Sequence, residues 1–342
     1  MLIGKVVRFR VHLTSLSWSP SHEVSVMAQP LFPSFTPTYH HDQYPAIDPS
    51  QPSLDCSTRT VLITGGGRGI GQAIAVAFAK AHAKNIALLG RTKSTLEATA
   101  ALIETASGGK TDVTIVVADI TIKEQVLDAL YTTIEAFGGD VPDVLVNNAG
   151  GLAGRGSLTE VEIDDFMSAF ELNVRGPLAV LQAYLRANKK YSPDTPRTVI
   201  NLPSGAAHLP YAPSAAAYGI SKLANSKIIE YVHHENPSWN VFNMQPGVVA
   251  TDLAREAGRK APDSPELPAG FAVWLAASPD ARKLNGKFIW ANWDINEVLE
   301  RIDEIEKRDL LTLTLKGWAE DINAEEMKRR ATSVHRDAER KE

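Results

Sequence analysis

The sequence predicts an α/β fold: a single doubly wound parallel sheet with helices on both faces. Three observations predict it. Strand-like and helix-like segments alternate from Thr60 onward, the strand-like segments are continuous apolar runs, and a glycine-rich turn joins the first strand to the first helix. TVLIT is the first strand and Gly65 to Gly71 the turn. Ile70, Ala73, Ile74, Ala77 and Phe78 then recur at helical spacing, which predicts an amphipathic helix. NIALLG is the second strand, followed by a helix from Ser94 to Ser107. TIVVADI is the third, followed by a helix from Ile122 to Phe137, and DVLVNNAG is the fourth. A long helix around Phe166 to Lys189 leads to the fifth strand, RTVINLPS; a helix from Ala215 to Glu235 leads to the sixth, VFNMQPG; GKFIWA, from Gly286 to Ala291, is the seventh. Ile295, Val298, Leu299, Ile302 and Ile305 predict one more amphipathic helix, and LLTLTLKGW after it is expected to pack on the body.

Composition bounds the possibilities. The chain has 342 residues, 44% hydrophobic and 22% charged, enough apolar material for a sizeable core. A formal net charge of -5 gives no reason to expect nucleic acid or an acidic membrane as partner. The single cysteine, Cys56, excludes an intrachain disulfide and a cysteine-rich zinc site, fits a reducing compartment, and reads as inert in its loop-like setting. The apolar runs are too short for a membrane span. Lys5, Arg8 and Arg10 with one acid, Glu23, give residues 1–26 a loose likeness to an organellar targeting segment. The plainer readings are an unstructured extension or an upstream start, with Met27 opening a better-behaved segment, and the expected location is cytoplasmic. Residues 27–58 are too rich in proline for a long helix or a central strand, and so form an arm that lies along the body or stays mobile. Adjacent His40, His41 and Asp42 do not converge on one ion without further ligands, so no metal is expected. Beyond Glu320 the residues are mostly charged and lack an apolar face.

The chemistry begins at TGGGRGIG, Thr64 to Gly71. A glycine-rich turn between a strand and a helix lets backbone N–H groups approach a pyrophosphate, whose charge the helix N-terminus favours. At the end of the second strand an acid would hold free ribose hydroxyls, but this chain reads Gly90-Arg91-Thr92. A guanidinium pairs with a 2′-phosphate and a carboxylate repels it, so Arg91, with Arg68 as a second cation, favours NADP(H) over NAD. The plain alternative is a pair of ordinary surface arginines. Further on, YGISK places Tyr218 and Lys222 one helical turn apart on one face. An ammonium beside a phenol stabilises the phenolate, which makes tyrosine a usable proton donor or acceptor near neutral pH.

TGGGRGIG, NNAG at Asn147 to Gly150, Asn173 in ELNVRG, Ser204 after a strand, YGISK, and PGVVAT at Pro246 to Thr251 run in this order. Together they resemble the short-chain dehydrogenase/reductase family in its single-domain, Rossmann-type form, over Thr60 to Trp293. PLFPSFTPTYHHDQYPAI and GKFIWANWD further resemble fungal members, several of which act in secondary metabolism. The resemblance makes 59–319 one Rossmann-type oxidoreductase domain between the Pro/Ser-rich extension 1–58 and the charged tail 320–342. It implies that Tyr218 is the acid/base, that Lys222 tunes it and holds the nicotinamide ribose, and that Ser204 hydrogen-bonds the substrate oxygen. It also implies that Asn173 helps hold a water leading from Lys222 to solvent. Cofactor contacts are implied for Thr64, Gly65, Arg68, Gly69, Ile70, Gly71, Arg91, Asp119 (adenine), Asn147, Ala149, Gly150, Tyr218, Lys222, Val249 and Thr251 (carboxamide). A homodimer or homotetramer through the helices carrying Phe166–Lys189 and Tyr218 is implied as well.

Plainer readings stand beside these roles: Ser204 as a strand-end turn residue, Asn173 as a satisfied helix polar group, Asp119 as a helix cap. Pro203 departs from the small hydroxyl residue common in the family and is expected to rotate Ser204 or reshape the substrate floor. His208, Leu209 and Tyr211 are expected to form a mostly apolar substrate wall, and Leu253 to Pro265 a mobile lid in which Pro262, Pro265 and Pro268 end or kink any helix. Such a pocket suits a ketone, quinol or polyketide-like molecule. Rival readings are a catalytically silent cofactor-binding scaffold, and an epimerase or dehydratase using the same site.

Overall fold

A computed structural model describes residues 32–210, 213–251 and 261–316. The expectations for residues 1–26, for most of the 253–265 segment and for the 320–342 tail lie outside the described residues.

Seven parallel strands form one sheet in the order β3-β2-β1-β4-β5-β6-β7. They are β1 (Thr60–Thr64), β2 (Asn85–Gly90), β3 (Asp112–Val117), β4 (Val144–Asn147), β5 (Thr198–Asn201), β6 (Asn240–Gln245) and β7 (Phe288–Trp290). The continuous apolar runs have their cause here: β1, β4 and β5 are buried at every position, because helices cover both faces. Only the edge strand β3 exposes its ends. On one face α3 (Lys123–Ala136), α5 (Gly176–Tyr191) and α6 (Ala216–Glu235) bury Leu130, Ile134, Val180, Tyr184 and Ile229 against Leu62, Leu89, Leu145, Val199 and Val241. On the other, α1 (Gly69–Lys80) packs against both α2 (Lys93–Ser107) and α7 (Glu266–Ala277). The order of the strands reverses between β1 and β4, and in such sheets the crevice at the carboxyl ends of the strands there receives ligands.

Four features differ from, or decide between, the expectations. The long helix is α4 (Ile163–Phe170) and α5 joined through a π-helical turn, Glu171–Arg175, whose widened loop holds Asn173. The last amphipathic stretch is two short helices, α8 (Ile295–Glu300) and α9 (Ile302–Lys307), broken where Arg301 donates to the Phe35 carbonyl at 2.6 Å and lies over the Phe35 ring. The prolines do not exclude a helix after residue 262. Pro265 caps α7 and Pro268 sits in its first turn, where a missing N–H costs nothing. Leu267 to Ala276 of α7 are all buried, so this helix needs cover on every side. That cover settles the fate of the arm: the compact unit begins at Ser34, and its short turns Pro45–Ile47 and Pro52–Leu54 lie on α7. Ile47, Leu54 and Cys56 are buried there, and a Cβ on Gly270 of α7 would stand only 2.4 Å from the Ile47 carbonyl. Burying each of the two aliphatic side chains is worth roughly 2 kcal/mol.

Candidate active site

The glycine turn follows β1 directly. Gly65 and Gly69 have φ of 67° and 57°, the left-handed region that glycine enters without penalty. A Cβ on Gly71 would lie 2.3 Å from the Gly65 carbonyl, so the first turn of α1 packs against the loop as only glycine allows. The N-cap Arg68 is extended and exposed, and no acid stands in the first turn of α1. A helix N-terminus whose first turn carries no acid suits a phosphate, because its first N–H groups and the helix dipole favour negative charge. Ile70 lies in the first turn.

Thr64, the last residue of β1, and Asn148 and Ala149, just after β4, lock the turn in place. Buried Thr64 Oγ1 accepts from the N–H groups of Asn148 and Ala149, both at 3.0 Å. Asn148 Nδ2 donates to the carbonyls of Thr64 (2.8 Å) and Gly65 (3.3 Å). The side chain of Asn147 does not join the turn: its Nδ2 donates to Asn201 Oδ1 at 3.3 Å in a buried asparagine ladder that continues to Asn225 and Asn243. Alternation along an extended segment puts adjacent side chains on opposite sides, so only one residue of the pair can reach the turn. The residue missed is Asn148, and its signal was the second letter of the NNAG motif.

At the second-strand end Arg91 is exposed, with Nη1 3.9 Å from Asp119 Oδ2. Asp119 Oδ1 is occupied by the N–H (2.9 Å) and hydroxyl (2.8 Å) of Thr121. Despite partial desolvation, these bonds and Arg91 hold its carboxyl below the usual range. Asp119 shapes the turn before α3 instead of capping the helix, whose N-cap is Ile122. Across the cleft, Thr251 comes near the turn: a Cβ on Gly69 would be 3.2 Å from Thr251 Cγ2. Val249 is buried and pairs with Asp263.

Helix α6 carries Tyr218 and Lys222, the pair expected to do the acid/base work. Lys222 is buried, and its Nζ donates to the Leu202 carbonyl at 2.9 Å and lies 6.0 Å from the centre of the Tyr218 ring. Burial lowers its pKa from 10.5 to about 8. Asn173 is fully buried, with Oδ1 accepting from Gly151 N–H and Nδ2 donating to the Gly151 carbonyl, each at 3.0 Å. Nδ2 also donates to Ser221 Oγ at 3.1 Å, and Ser221 donates to the Tyr218 carbonyl at 2.9 Å. Ser221, not singled out from the sequence, thus couples the π turn to the tyrosine. Gly150 closes the group: a Cβ there would meet Asn173 Oδ1 at 2.9 Å and Lys222 Nζ at 3.0 Å.

Ser204 caps a short turn, its Oγ accepting from Ala206 N–H at 3.2 Å. The oxygen is used as acceptor, which leaves the hydroxyl hydrogen available to an incoming oxygen atom. Pro203 removes no ladder bond, because β5 ends at Asn201 and the last bond from this edge is Leu202 N–H to Asn147 at 3.2 Å. Ser204 stays extended, with φ -156° and ψ 151°. His208 Nε2 accepts from Trp290 Nε1 at 3.0 Å, so Nδ1 carries the proton of the neutral ring, and desolvation lowers its pKa. His208 also stands edge-on to Phe288. Tyr211 lies outside the described residues. Among the described residues no group of three or more His, Cys, Asp or Glu could hold a metal; His40, His41 and Asp42 instead pair separately with Asp294, Asp263 and Ser264. No helix among them is long and apolar enough to cross a membrane.

Comparison with known proteins gives consistent results. Residues 59–262 match a family model described as short chain dehydrogenase. The chain is 34% identical over 288 residues, 82% of its length and 95% of the relative's, to the short chain dehydrogenase/reductase AacuD of Aspergillus aculeatus. It is likewise 34% identical to the short chain dehydrogenase citE of Monascus ruber, covering 81% of this chain and 94% of that one. An alcohol dehydrogenase from Thermococcus sibiricus, solved with 5-hydroxy-NADP, is 27% identical, with a TM-score of 0.56 over 65% of this chain and 91% of that one. Levodione reductase shares the fold, with a TM-score of 0.62 at 23% identity over 68% of this chain and 96% of that one.

Proposed function

This chain belongs to the short-chain dehydrogenase/reductase family, and from that premise we propose that it is an NADP(H)-dependent oxidoreductase acting on a carbonyl or alcohol of an apolar small molecule in secondary metabolism. The family implies a nicotinamide cofactor, which when bound supplies or accepts the hydride. The observation that carries the reading is the hydrogen-bonded chain from Gly151 through Asn173 and Ser221 to the Tyr218 backbone, with Lys222 Nζ 6.0 Å from the Tyr218 ring and both Asn173 and Lys222 against Gly150.

The residues divide the work. The glycine turn and the first turn of α1 would hold a pyrophosphate, and Arg91, exposed at the second-strand end, would pair with a 2′-phosphate. Arg68 adds a second cation at that mouth. Ser204 donates to the substrate oxygen, Tyr218 gives or takes the proton there, and the Lys222 charge lowers the cost of the phenolate. At pH 7 a lysine of pKa about 8 is still mostly protonated, so that charge is present when the reaction runs. A desolvated oxyanion site strengthens each of these contacts. His208 and Leu209 contribute to the substrate wall. The location proposed is cytoplasmic. The assembly proposed is a homodimer or homotetramer through the helices carrying Phe166–Lys189 and Tyr218, on which Met167, Ile220 and Leu223 are exposed; light scattering tests it, and a monomer at micromolar concentration refutes it.

The test is a carbonyl panel with NADPH and NADH. Wild-type protein oxidises NADPH with an apolar ketone or quinone, whereas Tyr218→Phe does not and still binds NADPH. Full turnover by Tyr218→Phe, or turnover of small charged substrates alone, overturns the reading. Substrate conversion without net cofactor oxidation transfers it to epimerase or dehydratase chemistry.

A further inference from the structure

A second buried network stands beside the cofactor cleft and belongs to none of the roles above. Its centre is Asp263, 2% exposed, which lies after the turn that follows β6. One carboxylate oxygen, Oδ1, is 2.5 Å from His41 Nδ1; the other accepts the N–H of Val248. The backbone adds two more ties. Asp263 N–H donates to the Val248 carbonyl at 3.2 Å, and Ser264 N–H to the His41 carbonyl at 2.8 Å. Val249 and Asp263 pair as a parallel bridge. Gly247, at φ 92°, comes so close that a Cβ there would stand 2.6 Å from Asp263 Oδ2 and 3.3 Å from Asn292 Oδ1. Asn292 in turn exchanges hydrogen bonds with the His40 backbone at 2.7 and 2.9 Å.

A buried carboxylate costs several kcal/mol unless it is paired and hydrogen-bonded. Here its two oxygens join segments that are distant in sequence: the 34–58 segment through His41, and the turn Gly247–Thr251 through Val248. That turn ends at Thr251, which faces Gly69 of the glycine turn. We propose that Asp263 and His41 are positioning residues for the cofactor: the pair anchors the turn after β6 against the N-terminal segment, and so sets the distance from Val249 and Thr251 to the glycine turn. The 34–58 segment is then part of the cofactor site as well as the cover over α7. This proposal rests on the reading of Thr64–Gly71 and Thr251 as the two sides of a cofactor cleft.

The experiment titrates full-length protein with NADPH by fluorescence, for wild type, His41→Ala, Asp263→Asn and the double variant. Amide exchange at Val248 in cofactor-free protein and the steady-state constants complete it. His41 is half exposed, so His41→Ala folds even where Asp263→Asn does not. Each single variant is expected to weaken NADPH binding about tenfold, the worth of one hydrogen bond to a charged group. The double variant is expected to lose little more than either single one, because the two act as one unit. KM for NADPH rises with kcat nearly unchanged, and Val248 exchanges faster; a purely structural role would instead lower the active fraction, and with it kcat, at constant KM. Wild-type NADPH affinity in His41→Ala, or fully additive losses, overturns the proposal. A wild-type protein that binds neither NADPH nor NADH overturns the cofactor reading, and the proposal with it.

Discussion

Replacing Lys222 by methionine is expected to separate catalysis from folding, because its burial and its charge act in opposite directions. Burial alone brings its pKa from 10.5 to about 8, a difference that corresponds to about 3 kcal/mol paid to keep the charge inside the protein. Methionine fills the same volume without a charge and removes that cost. It also leaves the Leu202 carbonyl without its donor at 2.9 Å, a loss of roughly 1–3 kcal/mol. The two nearly cancel, with the balance toward stability: Lys222→Met is expected to unfold at the same or slightly higher urea concentration than wild type at pH 7. Activity moves the other way, falling about a hundredfold or more, because the phenolate loses its nearby charge. The linkage sign follows from the same numbers. The unfolded chain holds a lysine proton that the folded chain has released between about pH 8 and 10.5, so this group makes wild-type stability rise with pH across that window. The variant lacks this rise. Urea titrations of cofactor-free protein at pH 7 and 9.5, with kcat/KM at pH 7, make the assay. Destabilisation of more than about 3 kcal/mol at pH 7, or an unchanged rate, would refute the reasoning.

Asn173→Ala strips both Gly151 backbone groups and Ser221 of their partner; a loss of about 2–4 kcal/mol by thermal melting, together with a fall in kcat, is the expected outcome. A stability loss without a change in kcat would make Asn173 structural only. Arg91→Asp is expected to weaken NADPH at least tenfold relative to NADH, measured as the ratio of kcat/KM values; an unchanged ratio assigns Arg91 to the surface.

The parts of this molecule that were legible in its sequence are those governed by local rules. Seven apolar runs became seven strands because a sheet covered on both faces buries nearly every position of its inner strands. The glycine turn was legible because Gly65, Gly69 and Gly71 answer to backbone geometry within eight residues. Tyr218 and Lys222 were legible because one helical turn brings them together. What escaped depends on partners far along the chain. Helix α7 has no polar face and carries Pro268, so neither periodicity nor breaker rules announce it; the side that α1 leaves open is covered by the turns carrying Ile47 and Leu54. The break at Arg301 is set by its bond to Phe35. The π turn around Asn173 shifts a register that hydrophobic spacing cannot resolve, and the choice between Asn147 and Asn148 turns on which side of the chain each faces. The His41–Asp263 pair spans 222 positions, and no spacing rule reaches that far.

The most direct test of the central claim follows the transferred atom. Wild-type protein is incubated with a turned-over ketone and NADPH carrying deuterium at the transferring face of nicotinamide C4, and the product alcohol is analysed by mass spectrometry. Hydride transfer within this site predicts one deuterium on the carbinol carbon of each product molecule, matched by one NADPH consumed, and no labelled product from Tyr218→Phe. Product formed without deuterium, or labelled equally by the Tyr218→Phe variant, would contradict the account.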